Sequence, residues 1–400
     1  MLIVVSALSG ACGAMIDVVT QPMLLELGAS VYTIGLLFTL GGYSGLIPTL
    51  VQPMGGVLSD SLGRRPFVLL MRLATAAAMT CYLAAALTGS LRLALLAISL
   101  FGLSAIGWPA WDAAVAESSP AHGRGMAYSA VLLAGVAPGL LMRPIGGVLA
   151  DRIGYWSVYL VGLAGEAACL VVLLSAFREG TPPRARSVSL RGLLRRVFTP
   201  PKDLWRFYIL TGLDSLLWGV SMGVLPAIVV SQFEVSNLEL GVLTTVLSAT
   251  IIASQIPVGV LIDRIGPVKV LALSQALGVP LAVTLLRAEG FAHLIPAYAT
   301  LGLAASTWVP TTRAYLSLVV ESDDVAGSMG RLSAFDGLFG FAAPALGGAL
   351  YELYGLKGPV TVTLAGSLAL AAGFALLLEE VKRPAGQVNI PGSEGEQRWR

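Results

Sequence analysis

Eight ionisable side chains lie inside long apolar runs: Asp17, Arg72, Asp112, Arg143, Glu166, Asp214, Arg313 and Asp336. A charge in such surroundings is costly. It is kept where it pairs, meets a polar cavity, or handles an ion or a proton. Asp17 stands in a patterned stretch, where Ser6, Gly10, Gly13, Asp17 and Thr20 recur at three- and four-residue spacing. On a helix that spacing makes one small, polar face. Thr211, Asp214, Trp218 and Ser221 repeat the arrangement. Small-residue packing between helices accounts for the glycines and serines, but a polar cavity accounts better for the two aspartates. Trp108, Trp111, Trp218 and Trp308 are candidates for an aromatic cavity wall that accepts apolar ligands, with ordinary helix packing as the other reading.

Other chemistries lack their residues. His122 and His293 are the sole histidines, so no metal cluster is expected. No Gly-x-x-x-x-Gly-Lys-[Ser/Thr] phosphate loop occurs, so ATP is not expected to drive anything. The apolar stretches hold no histidine–carboxylate constellation of the kind an enzyme would need. Cys12, Cys81 and Cys169 lie in apolar runs, which argues against a disulfide framework. Neither a cofactor nor a nucleic-acid partner is expected.

The elements that must position these residues follow from composition. Of 400 residues, 56% are hydrophobic and 12% charged, where a soluble domain carries about 25% charge. The chain therefore reads as an all-α membrane protein whose partner is the lipid bilayer. A crossing helix needs about 20 mostly apolar residues, and twelve spans qualify, at about 2–25, 32–59, 66–87, 92–117, 125–148, 156–177, 207–230, 238–261, 268–287, 292–318, 328–350 and 359–379. Met1 leads directly into Leu-Ile-Val-Val, without a basic region or cleavage site, so the first stretch reads as a span rather than a signal peptide.

Between spans 6 and 7 the chain turns polar and basic, with Pro182-Pro183 and Pro200-Pro201. The expected division is a six-helix bundle over 1–178, a cytoplasmic linker over 179–206, a second six-helix bundle over 207–380 and a cytoplasmic tail over 381–400. Within the linker, Leu190, Leu193, Leu194, Val197 and Phe198 recur at helical spacing with Arg191 and Arg195 opposite, the pattern of a helix lying on an anionic membrane surface. With the amino terminus inside, Arg64, Arg65, Arg124, Arg264, Lys269, Arg331 and the basic linker fall on the inner side. The outer loops then hold Arg92, Arg152, Arg287 and Lys357. That asymmetry predicts both termini in the cytoplasm, in a multi-pass protein of the plasma membrane.

One stretch recurs four times. Gly55-Gly56-Val57-Leu58-Ser59-Asp60-Ser61-Leu62-Gly63-Arg64-Arg65 ends span 2, and Gly146 to Gly154, around Asp151, ends span 5. Gly259 to Gly266, around Asp263, ends span 8, and Gly347 to Gly355, around Glu352, ends span 11. Copies separated by about 90 to 110 residues indicate an internal repeat. Each closes the middle helix of a three-span group, and because three is odd successive groups run inverted. Two halves, each of 3+3 inverted repeats, is a transporter architecture.

With these residues in place, the chain resembles the major facilitator superfamily over nearly its whole length. Gly56, Asp60, Gly63, Arg64 and Arg65 match its signature loop G-x-x-x-D-x-x-G-R-[RK], and Gly259, Asp263, Gly266 and Lys269 resemble the second-half counterpart less completely. Gly135, Gly139, Pro144, Gly146 and Gly147 partly resemble the antiporter motif of span 5, with Arg143 in place of a glycine and one spacer residue missing. Within the family the chain looks most like the multidrug/proton antiporters.

The resemblance implies that spans 1, 4, 7 and 10 line a central cavity, which brings Asp17, Asp112, Asp214 and Arg313 to it. It implies a conformational latch in which Asp60 meets the inner start of span 11 and Arg64 reaches Asp112 or Glu117. It also brings spans 1 and 5 together. Asp17 and Arg143 then differ in depth by only ~5 Å at about 1.5 Å per residue, so they are expected to pair and, with Asp214, Arg313 and Asp336, are the coupling candidates. Arg72 is expected to snorkel to the inner surface, and Glu166 to pack at the periphery beside Gly162 and Cys169. The function implied is secondary transport by alternating access, as proton-coupled export of amphipathic small molecules by a monomer. Uptake or exchange of a small metabolite or organic anion held by Arg143 or Arg313 is the first alternative. A non-transporting membrane sensor is the second.

Overall fold

A computed structural model describes residues 1–118, 124–177, 199, 201, 203–320 and 325–379. Every regular element among them is helical, and the helices group into twelve. In the first half, α1 is Leu2–Glu26, α2 is Val31–Gly41 continued by Leu46–Leu62, and α3 is Arg64–Thr88. Next, α4 is Leu91–Ser104 and Trp108–Glu117 about a 3-10 turn, α5 is Arg124–Val136 and Gly139–Arg152, and α6 is Tyr155–Ala176. In the second half, α7 is Trp205–Met222 and Leu225–Phe233, α8 is Asn237–Ile265, and α9 is Pro267–Ala276 and Gly278–Leu286. Finally α10 is Phe291–Val319, α11 is Val325–Gly340 and Ala343–Tyr354, and α12 is Lys357–Leu377. The predicted linker helix at Leu190–Phe198 and the tail lie outside the described residues.

Ten of these helices are long and apolar enough to cross a membrane by length and composition. The exceptions are α10 and α11. Ser306, Thr307, Trp308, Pro310, Thr311 and Thr312 dilute the hydropathy of α10, and Arg331, Asp336 and repeated glycines that of α11.

Proline sets most of the breaks. It lacks the N–H that the preceding turn needs and crowds the carbonyl four residues back. Pro138, Pro226 and Pro344 stand at the start of the outer pieces of α5, α7 and α11, where the missing donor costs least. The break in α2 is Gly42-Tyr43-Ser44-Gly45. Backbone groups freed inside a membrane must find partners. At the α7 break Gln21 of α1 supplies both, since its Nε2 donates to the Gly223 carbonyl at 2.9 Å and its Oε1 accepts from Ala227 N–H at 2.9 Å.

The repeat has one geometry at all four sites. Its turn glycine has φ of 97° at Gly63, 110° at Gly154, 89° at Gly266 and 63° at Gly355. A side chain is strained in that region, so the fourth copy is still a working turn even though its acid is Glu352. The Asp60 end of the bundle is called the inner end, following the expectation from charge, and the Asp151 end the outer.

The two ends are packed differently. At the outer end one continuous core joins the halves, with Val18, Met23, Val31 and Ile34 packed with Leu225, Ile228, Leu240 and Leu243. Towards the inner end the core divides. Val5, Phe67, Val68 and Leu173 belong to one cluster, and Phe207, Tyr208, Leu271 and Phe374 to another. The repeat glycines report the same asymmetry. A Cβ on Gly147 would lie 2.3 Å from the Asn237 carbonyl oxygen, and one on Gly348 would lie 2.6 Å from the Tyr32 Cα, each across the boundary between halves. At the equivalent inner positions, Gly56 has Pro109 of its own half at 3.5 Å, and Gly259 has nothing within 4 Å. Among the described residues, the structure is closed at the outer end and parted at the inner end.

Gly147→Ala should therefore disfavour this state specifically. Overpacking costs about 1–3 kcal/mol, a factor of about 5–150 in the balance of states. Cysteine labelling from the outer side should rise in Gly147→Ala and stay unchanged in Gly259→Ala.

Candidate functional site

A cavity of about 620 Å³ lies within the first six helices, and all the residues that line it belong to that half. Its wall is largely apolar and aromatic, with Phe38, Met79, Tyr82, Phe101, Trp108 and Trp111 among its residues. Its acidic and basic residues are Asp17, Arg72, Asp112, Arg143 and Glu166.

The outer part of the cavity is built on the break in α2. Released from the helix between Gly42 and Gly45, Tyr43 swings into the cavity, and its hydroxyl donates to Asp17 Oδ1 at 3.3 Å. Its ring stands edge-on to Phe101 at 5.4 Å and tilted against Trp108 at 5.9 Å. Asp17 and Arg143 are close enough for each charge to act on the other, yet they form no ion pair here. Arg143 Nη1 is buried without a hydrogen-bond partner. The expected pair is thus replaced in this state by an Asp17–Tyr43 bond, because the α2 break delivers a nearer donor.

The inner part holds a second charge cluster, centred on Ser9 of α1, eight residues and so about 12 Å along the helix from Asp17. Arg72 Nη1 donates to Ser9 Oγ at 2.7 Å and to Glu166 Oε1 at 3.2 Å, and its guanidinium lies over the Trp111 ring at 5.5 Å. Arg72 is 7% and Glu166 4% exposed. Arg72 does not snorkel, and Glu166 is not a peripheral packing residue. Each answers the other's charge across α3 and α6. Neither helix shows this alone. The available signal was one unmatched charge of each sign at mid-span in the same half.

The second-half candidates are placed elsewhere. Asp214 is buried and accepts from Gln275 Nε2 at 2.7 Å, while Gln275 Oε1 accepts from Trp218 Nε1 at 2.8 Å. Trp308 packs edge-on against Phe374 at 5.6 Å. Asp336 has a buried Oδ1 without a partner, and Arg313 is exposed. None of these five lines the cavity.

At the inner end Asp60 pairs with Arg64 of its own turn, and its side chain is 64% exposed. Arg64 Nη2 reaches Glu117 Oε1 at 3.4 Å and its Nη1 reaches Ser59 Oγ at 3.1 Å. Among the described residues Asp60 pairs with Arg64 and not with α11, and Asp112 and Asp263 are exposed while each keeps contacts of its own. At the outer end the equivalent acids are engaged. Asp151 Oδ1 accepts from Asn237 N–H at 3.2 Å and from its Nδ2 at 2.7 Å, and Asp151 Oδ2 accepts from Leu238 N–H at 2.9 Å. Those N–H groups open α8. Glu352 Oε1 accepts from Tyr32 N–H at 3.1 Å, at the start of α2. Each carboxylate sits on the positive end of a helix from the opposite half. The outer copies of the repeat therefore form a pair of latches that sequence reading assigned to the inner copies alone.

The model of the Major Facilitator Superfamily matches residues 2–213 and again 207–400. The multidrug resistance protein MdtG of Klebsiella pneumoniae (strain 342) is 26% identical over 368 residues, covering 89% of this chain and 85% of that protein. MdtG of Escherichia coli O6:K15:H31 (strain 536 / UPEC) is 26% identical over 326 residues, with 80% and 78% covered. Among solved structures, the nucleoside transporter NupG superposes with a TM-score of 0.76 at 14% identity, over 94% of this chain and 99% of that one. The human organic anion transporter MFSD10 (TETRAN) gives 0.67 at 18% identity, over 93% and 97%. Both of these solved structures are of transporters.

Two expectations follow from the geometry. Removing one partner of a buried ion pair costs about 3–5 kcal/mol, whereas replacing both with apolar residues is often neutral. Glu166→Leu should therefore lower the thermal unfolding temperature more than Arg72→Met/Glu166→Leu does. A carboxylate at a helix start contributes about 0.3–1 kcal/mol when exposed and up to ~2 when partly buried. Asp151→Asn should raise outer-side labelling, whereas Asp60→Asn should leave this state intact and slow its conversion to the other.

Proposed function

This chain belongs to the major facilitator superfamily, and from that premise we propose that it exports amphipathic small molecules across the plasma membrane by alternating access, driven by protons. The observation that carries the reading is the single-sided cavity, with an aromatic and apolar wall above a parted inner end and beneath an outer end latched by Asp151 and Glu352. A compound entering from the inner side would meet Trp108, Trp111, Phe101 and Tyr43. Similarity to proteins named for multidrug resistance points the same way. The protein works as a monomer with both termini in the cytoplasm, where the basic residues of the inner loops anchor it.

Transport needs two states of comparable stability. The inner copies of the repeat would close that end as the outer copies close this one. Asp60 would leave Arg64 for the start of α11. Asp17 is the residue proposed to carry the proton. Tyr43 holds it here, and opening the outer end would move α5 and so change its distance from Arg143. A proton bound with one set of neighbours would be released with the other. Asp214 and Asp336 are the second-half candidates for the same task.

Reconstituted protein should move a fluorescent amphipath out of the compartment facing its inner side only when a pH gradient is imposed. Asp17→Asn should lose gradient-driven accumulation yet keep substrate exchange. A folded Asp17→Asn protein that still concentrates substrate would assign coupling elsewhere. No flux of any compound in a diverse panel would favour a sensor.

A further inference from the structure

Resting on the reading of the cavity as the substrate site, the charges along its wall select one class of amphipath. Glu166 cancels Arg72 at 3.2 Å. Asp112 lies exposed towards the inner end. Asp17 is held by the Tyr43 hydroxyl at 3.3 Å. Arg143 is left as the cavity arginine with no carboxylate on it, and its buried Nη1 has no acceptor at all. A guanidinium is a rigid planar fork that matches a carboxylate or phosphate with two parallel hydrogen bonds. Arg143 lines this largely apolar cavity, and although Nη1 itself is buried, the rest of the half-buried side chain is open to a ligand's acceptor.

We propose that the cavity binds amphipathic organic monoanions, with the carboxylate, sulfonate or phosphate head on Arg143 and the apolar body along the Tyr43–Phe101–Trp108 wall. Two features sharpen this. Asp17 stands near enough to repel a second negative charge, so one anionic group is preferred to two. Tyr43 is a positioning residue. By holding Asp17 it keeps that carboxylate off Arg143 and leaves the guanidinium for the ligand.

The test uses the full chain in phosphatidylcholine nanodiscs and isothermal titration calorimetry with three probes that share one ring system: 1-naphthaleneacetate, 2-(1-naphthyl)ethanol and 1-naphthylmethylammonium. The acetate should bind at least about tenfold more tightly than the alcohol or the ammonium, as expected for a charge-assisted hydrogen bond. Arg143→Gln should erase that margin, with monodisperse elution and a wild-type helical circular-dichroism spectrum showing that the variant is folded. Arg143→Lys, which keeps the charge and loses the fork, should retain part of it. Tyr43→Phe, which keeps the ring and removes the hydroxyl, should shrink the acetate's margin over the alcohol several-fold, to roughly a third or less. Equal affinities for the three probes, tighter binding of the ammonium, or a preference that survives Arg143→Gln would overturn the inference while leaving an amphipath site in place. Binding of none of the three by monodisperse protein would overturn the site reading and the inference together.

Discussion

Carboxylates set on the amino termini of helices from the opposite half hold the outer end of this protein together. Asp151 meets two consecutive N–H groups at the start of α8, and Glu352 meets one at the start of α2. Helix starts carry unpaired donors and a partial positive charge. Near a membrane boundary, where water competes less, a carboxylate is a natural partner for them. Because the acid and the helix start come from different halves, the bond exists only when the halves are together at that end. The interaction is thus stabilising and conditional at once, and the cavity, the parted inner core and the glycine contacts are all arranged around it.

The four-fold repeat explains why such a device can serve both ends. Inverted triplets present the same helix end, the same turn glycine and the same acid to opposite faces. A free-energy difference of only a few kcal/mol between the two closures is enough for a cycle, because carboxylate–helix contacts at about 0.3–2 kcal/mol each are small and matched. The glycines four residues before each acid let the backbones approach within van der Waals distance when an end closes, as Gly147 and Gly348 do here. In the cavity, charge is handled by partial compensation. One buried pair, Arg72–Glu166, has its charges matched although Arg72 Nε lacks an acceptor, and in the Asp17–Tyr43–Arg143 group Arg143 Nη1 lacks one with no carboxylate on it.

Much of the fold was legible in the sequence, since hydrophobic length fixes spans and the repeat fixes symmetry. The twelve helices could be read from the length of the apolar runs, and the Asp60 turn from Gly, Asp and Arg positions. The site was less legible. Asp17, Arg143, Trp108, Trp111 and Asp112 do face one cavity, but sequence reading placed Trp218 and Trp308 there as well. Symmetry made the halves look equivalent, whereas Trp218 hydrogen-bonds Gln275 and Trp308 packs on Phe374. Tyr43 was missed because its role depends on the break between Gly42 and Gly45, which a span-length criterion reads as continuous helix. Arg72 and Glu166 were misplaced because a charge viewed on one helix carries no sign of its partner on another.

The central claim, that closure alternates between the two sets of repeat copies, is tested most directly by pulsed electron-spin distance measurements in liposomes. One pair of labels at Arg152 and Leu353 would report the outer end, and another at Leu62 and Ile265 the inner end, in a background without Cys12, Cys81 and Cys169. The account predicts two distance populations for each pair, reweighted together by pH or substrate, with the outer pair lengthening by the same fraction that the inner pair shortens. Populations that shift at one end while the other stays fixed, or that widen at both ends together, would contradict it.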